Sequence, residues 1–228
     1  MALTMDQIGA RTADYLTQKW GKSVQLANME KIFGGASRET YRLQFSLNGE
    51  RDPLGMILRR DPPSSLIDTE RELEFRAYQG VFGTSIPVPE PLFLETDPAV
   101  MEQPFSLMAE IKDSMSDVSM LAAEDKARIG NQKWTILGQL ASLDPITQGF
   151  DDFMEVPTPG DCASRELDYW ESVIRDDEIH PQPVAHAAIR WLKANLPSPA
   201  EKISIVHGDY RTGNFLDRKS TRLNSSHQ

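Results

Sequence analysis

The spacing of apolar residues changes once along this chain, and that change restricts the fold more than any other feature. Over 40–46, Tyr41, Leu43 and Phe45 alternate with Arg42 and Gln44, the two-residue repeat of a half-buried strand. Ala27–Phe33, Gly55–Arg60, Leu92–Leu94 and Phe105–Met108 read as four more strands, and Asn48-Gly49 is a hairpin signal that pairs 40–46 with 55–60. Two helices interrupt this region. Met5–Trp20 brings Ile8, Ala13, Leu16 and Trp20 near one face, with Gly21 as a stop, and Asp68–Gly80 carries Leu73 and Tyr78, with Val81 just beyond. Past residue 122 the spacing is helical: Ala122–Leu143 (stripe Ile129, Trp134, Leu137, Leu140), Asp161–Arg175 and Pro183–Leu196. Ser204-Ile205-Val206 then reads as a short buried strand. The expected class is α+β: an antiparallel five-stranded sheet with one main helix, followed by a mostly helical part.

Composition narrows the function. With 34 acidic against 24 basic residues the formal net charge is −10, a balance that repels nucleic acid phosphates. No run reaches the roughly 20 apolar residues that span a bilayer. The start, Met1-Ala2-Leu3-Thr4-Met5-Asp6, lacks the basic and apolar regions of a signal peptide. No nucleic acid partner, no membrane and a cytoplasmic location are therefore expected. The single cysteine, Cys162, excludes an internal disulfide and has no catalytic neighbour in sequence. His180, His186 and His207 lack the spacing of a zinc site. Trp134, Trp170 and Trp191 fall among apolar residues at helical spacing and are expected in the core.

Four segments carry candidate chemistry. In Ile205-Val206-His207-Gly208-Asp209-Tyr210-Arg211-Thr212-Gly213-Asn214-Phe215-Leu216, apolar pairs flank a loop with an acid and, five residues on, an amide. Such an acid can orient a hydroxyl and take its proton, and the amide oxygen can reach Mg²⁺. Gly208 and Gly213 permit the tight backbone this requires. In Phe33-Gly34-Gly35-Ala36-Ser37-Arg38, backbone N–H groups of Gly35, Ala36 and Ser37 can approach a phosphate, although a plain hairpin turn has the same composition. Met56-Ile57-Leu58-Arg59-Arg60 ends a strand on basic residues, and Glu72 on the next helix is a candidate partner for Arg59. Pro104-Phe105-Ser106-Leu107-Met108-Ala109-Glu110-Ile111 is a strand running into a polar linker.

Together and in this order, these segments over roughly 25–216 resemble the aminoglycoside phosphotransferase and choline kinase-like enzymes. The local cues Gly34-Gly35-Ala36-Ser37, Leu58-Arg59-Arg60 and Val206–Asn214 are most similar to the group related to the kinase-like domain of acyl-CoA dehydrogenase fusion proteins. The resemblance implies a protein-kinase-like two-lobe fold, with a nucleotide-binding N-terminal lobe over 1–110 and part of a helical lobe over 111–216. It implies ATP and Mg²⁺ as cofactors and γ-phosphoryl transfer to a hydroxyl of a small molecule. Acceptors of four kinds remain open: a hydroxyacyl thioester, an amino alcohol, a sugar or an aminoglycoside. The implied roles are Asp209 as catalytic base, Asn214 as Mg²⁺ ligand, Arg59 as phosphate holder braced by Glu72, Gly35, Ala36 and Ser37 at the phosphates, and Glu110 and Ile111 at the adenine edge. His207 is expected to brace the loop by hydrogen bonding. A non-catalytic nucleotide-binding module is the alternative.

The sequence departs from that family near its end. The Ile-Asp-Trp-like segment, which supplies a second acidic Mg²⁺ ligand after the asparagine, is missing, and so are the later helices that build the acceptor pocket. A C-terminally truncated and inactive fragment of an active enzyme is expected. Residues 217–228, Asp-Arg-Lys-Ser-Thr-Arg-Leu-Asn-Ser-Ser-His-Gln, match the in-frame translation of a sequencing-adapter DNA except for the final residue. They are expected to be a non-native tail that adds nothing to the fold, leaving Phe215 and Leu216 poorly covered.

Overall fold

The structure is a computed structural model that describes residues 3–32, 39–49, 53–61 and 71–218. Its first helix, α1 (Met5–Trp20), is closed at both ends by local chemistry. Thr4 and Gln7 form a reciprocal capping box, and Gly21 stops the helix in the left-handed region at φ 63°. Three strands follow, β1 (Val24–Ile32), β2 (Glu39–Leu47) and β3 (Leu54–Arg60). After them come α2 (Arg71–Val81), β4 (Pro91–Glu95), the short α3 (Pro98–Met101) and β5 (Phe105–Ala109).

The five strands form one antiparallel sheet in the order β1-β2-β3-β5-β4. β2 and β3 pair directly, with Leu43 opposite Met56 and Thr40 opposite Arg59. Alternation decides which face is which. Tyr41, Leu43 and Phe45 on β2, Met56 and Leu58 on β3, and Phe105 and Leu107 on β5 form one core with Ile8, Ala13, Tyr15 and Leu16 of α1. α1 lies close to β1: a Cβ added at Gly9 would stand 2.5 Å from Leu26 Cδ2. The residues between, Arg42, Ile57, Arg59, Ser106 and Met108, face the other way, and α2 packs against β4 and β5.

The second half begins with β6 (Ser114–Met115) and α4 (Ala123–Ser142), followed by α5 (Cys162–Asp176), α6 (Pro183–Ala194) and β7 (Asp217–Arg218). By contacts the chain divides into two compact units, one of Met1–Leu137 with His207–Gln228, the other Gly138–Val206. In the second unit Lys193 of α6 bridges Asp168 and Glu171 of α5 at 2.6 and 2.5 Å. No helix among the described residues is long and apolar enough to cross a membrane.

Several expectations need correction. Ser204–Val206 is not a strand: no described strand pairs with it, and Val206 is 78% exposed. Trp134, Trp170 and Trp191 are 64, 51 and 64% exposed, not core; α5 and α6 pack on each other, yet α5 buries no residue and α6 buries only Ile189. Asp217 and Arg218 do join the fold, as β7 pairs antiparallel with β6 and Asp217 is buried. Of the two residues expected to be poorly covered, Leu216 is half exposed, whereas Phe215 is partly buried. The start of the helix expected from Asp68, and the loop with Gly35, Ala36 and Ser37, lie outside the described residues.

Candidate active site

Strand β3 delivers Arg59 and Arg60 to opposite faces of the sheet. Arg60 points into the apolar side at 1% exposure, where its Nε donates to the Met101 carbonyl at 3.1 Å and its Nη1 to Glu39 Oε2 at 2.9 Å. Arg59 points to the other face, one-third exposed, and its Nη1 donates to Glu74 Oε1 at 2.5 Å.

The partner of Arg59 is thus Glu74, correcting the expectation of Glu72. Helix geometry explains the change. Residues two apart differ by about 200° around a helix, so 72 and 74 cannot face the same neighbour. α2 buries Arg71, Phe75 and Val81, and Glu74 flanks that stripe at 21% exposure. Glu72 sits on the outer face and accepts from Arg76 at 3.2 Å, an ordinary exposed i,i+4 pair. Glu74 also accepts from Arg71 Nη1 at 3.0 Å, and Arg71 in turn bonds Asp61, the residue after β3.

The linker after β5 is built against β3. Glu110 donates its backbone N–H to the Gly55 carbonyl at 3.1 Å, and Ser114 Oγ donates to the Ile111 carbonyl at 2.7 Å. Those bonds leave the Glu110 carbonyl and the Ile111 N–H as an acceptor and a donor with no protein partner among the described residues. The Glu110 carboxylate pairs with Arg42 Nε at 2.9 Å and is mostly buried. It lies over Gly55, where a Cβ would come within 2.0 Å of Glu110 Oε2.

The loop at 207–215 is tightly folded. Gly208 and Gly213 adopt φ of 78° and 103°, values that L side chains seldom reach. Asn214 Nδ2 donates to both the Asp209 carbonyl at 2.9 Å and Asp209 Oδ2 at 2.8 Å, which turns the Asn214 side-chain oxygen away from the acid. Arg211 Nε donates to the same Oδ2 at 3.1 Å. The Arg211 bond, helped by the Asn214 bond, holds the Asp209 carboxyl below the usual carboxylate range.

Helix α4 anchors this loop. Tyr210 Oη donates to the Lys133 carbonyl at 2.7 Å, and the Lys133 ammonium stands 4.9 Å from the Tyr210 ring centroid and 5.1 Å from that of Phe215. His207 meets the Tyr210 ring edge-on at 5.1 Å, and among the described residues it supports the loop by this ring contact and not by the expected hydrogen bond.

The structure therefore brings Arg59 to Glu74, and Asp209 to Asn214, within the same compact unit. Sequence reasoning missed Glu74, Arg71, Arg211 and Lys133. The one usable signal was the i,i+3 spacing of Arg71 and Glu74 on one helix face. Among the described residues no cluster of three or more His, Cys, Asp or Glu could hold a metal ion. The outward oxygen of Asn214 is a hard donor that suits Mg²⁺, provided other oxygens complete the shell.

The fold is that of kinase-like phosphotransferases. A crystal structure assigned to the aminoglycoside phosphotransferases, from Ralstonia eutropha, superposes with a TM-score of 0.65 at 22% identity, over 92% of this chain and 60% of that one. The GDP complex of aminoglycoside 2′-phosphotransferase-IIIa superposes with a TM-score of 0.53 at 12% identity, over 92% of this chain and 67% of that one. The model of the phosphotransferase enzyme family matches residues 28–223, and the chain belongs to that family. The acyl-CoA dehydrogenase family member 11 of Rattus norvegicus is 25% identical over 187 residues, 80% of this chain. This chain spans only 23% of that relative's length.

Proposed function

We propose that this chain carries the nucleotide site and catalytic loop of an ATP-dependent phosphotransferase acting on a hydroxyl of a small molecule. The observation that carries the reading is the Asp209–Asn214 pair. Its hydrogen bonds fix an ionised acid beside an amide whose oxygen is turned outward. In this reading the adenine edge pairs with the Glu110 carbonyl and the Ile111 N–H. Arg59, held by Glu74, binds the nucleotide phosphates, and the backbone of Gly35, Ala36 and Ser37 supports them. Asp209 accepts the proton of the acceptor hydroxyl as its oxygen forms a bond to the γ-phosphorus. The bond from that phosphorus to the β–γ bridging oxygen breaks, and ADP leaves. Mg²⁺, with Asn214 as one ligand, would offset the negative charge of the phosphates.

The GDP carried by the aminoglycoside 2′-phosphotransferase-IIIa structure supports a nucleotide at this fold's site. The acceptor is a hydroxyacyl thioester, an amino alcohol, a sugar or an aminoglycoside.

The test is transfer of labelled γ-phosphate from ATP to a panel of these four compound types by the full gene product, beside its Asp209→Asn variant. Transfer by the parent that falls by about 10²–10⁴ in the variant is expected. Nucleotide binding without transfer to any hydroxyl would favour a non-catalytic binding module instead.

A further inference from the structure

Arg71 is charged, lies at the start of α2 and is 3% exposed. A guanidinium buried to that degree needs anionic partners. It has two, Asp61 just past β3 and Glu74 one helical turn on. Glu74 divides its oxygens: Oε2 accepts from Arg71 at 3.0 Å and Oε1 from Arg59 at 2.5 Å. Four charges thus alternate in a row, Asp61, Arg71, Glu74 and Arg59, tying the end of β3 to α2.

We propose that Arg71 is a positioning residue for the polyphosphate of the nucleotide, acting through Glu74 on Arg59. The inference rests on the reading that Arg59 holds those phosphates. A carboxylate next to a lone arginine can take two of its nitrogens in a fork. Here one oxygen of Glu74 is committed to Arg71, so Arg59 is held through Nη1 alone. That is its one side-chain hydrogen bond among the described residues, and the guanidinium stays one-third exposed. Arg71 therefore leaves Arg59 anchored through one nitrogen and still one-third exposed, open to phosphate oxygens. A lysine at 71 keeps the charge but lacks the fork that spans Asp61 and Glu74 together.

The experiment is a double-mutant cycle on the full gene product, read as the Kd of Mg-ATP for the parent, Arg71→Lys, Arg59→Ala and the double variant. Arg71→Lys is expected to weaken binding about tenfold when Arg59 is present and to change nothing further in the Arg59→Ala background. An equal loss in both backgrounds, or none with Arg59 present, would overturn the inference, because a merely structural role gives additive effects. Should Arg71→Lys fail to fold, Asp61→Asn removes the outer anchor and is expected to give the same non-additive pattern; additivity there overturns it equally. If Arg59→Ala itself leaves binding unchanged, the phosphate-holding role falls first and the inference with it. If only Arg71→Lys and Asp61→Asn are silent, the role of Arg59 stands and the inference alone falls.

Discussion

Asp209 shows how one side chain receives its chemistry from neighbours a few residues away. Two donors, Arg211 Nε and Asn214 Nδ2, converge on its Oδ2, and together they outweigh the desolvation that opposes ionisation. A depressed pKa keeps Asp209 ionised to lower pH, so with Asp209 as the proposed base the activity of the full gene product is expected to be lost only when pH falls through that lowered value. Arg211→Ala removes the largest cause, the pKa rises, and the acid limb of the kcat/KM profile is expected to move to higher pH. An unmoved limb would mean that Arg211 does not act on Asp209. The closeness of Asp209 and Asn214 was readable from spacing because five residues of loop constrain both. The role of Arg211 was not, since the direction of a side chain two residues from the acid depends on the folded loop.

At the scale of elements, β3 and α2 carry the Arg59–Glu74 pair of the proposed site. Glu74→Ala is expected to weaken Mg-ATP binding, whereas Glu72→Ala, which loses only an exposed pair with Arg76, should change affinity and stability by no more than about 0.5 kcal/mol. A larger loss from Glu72→Ala than from Glu74→Ala would reverse the assignment. Gly55 offers a second test. Alanine there collides with the Glu110 carboxylate, and a loss of about 1–3 kcal/mol in denaturant unfolding is expected. Glu110→Ala in the same chain should remove most of that loss, and a neutral Gly55→Ala would show that Glu110 does not lie over the strand.

The strands were legible because alternation such as Tyr41-Arg42-Leu43-Gln44-Phe45 survives in any antiparallel sheet with one buried face. The choice between Glu72 and Glu74 was not legible. It depends on which side of the Phe75 stripe turns toward β3, and the orientation of α2 on the sheet sets that.

At the scale of the whole molecule the two compact units are covered to very different degrees. The sheet unit buries Phe45, Leu43, Met56, Leu58, Phe105 and Leu107 fully, while α5 buries nothing and α6 only Ile189. Hydrogen exchange is expected to be slowest in β2, β3 and β5 and distinctly faster in α5 and α6; equal protection would contradict the burial pattern. The tryptophans were misread for the same reason. Helical spacing marks a face as apolar, but only the neighbouring elements decide whether it is covered.

The central claim is that Asp209 performs chemistry while Arg59 holds the nucleotide. Measuring Mg-ATP affinity and γ-phosphoryl transfer side by side for the full gene product, Asp209→Asn and Arg59→Ala tests it most directly. The expected result is a split: Asp209→Asn binds nucleotide like the parent but loses transfer by about 10²–10⁴, whereas Arg59→Ala loses affinity. Transfer undiminished in Asp209→Asn, or affinity undiminished in Arg59→Ala, would contradict it.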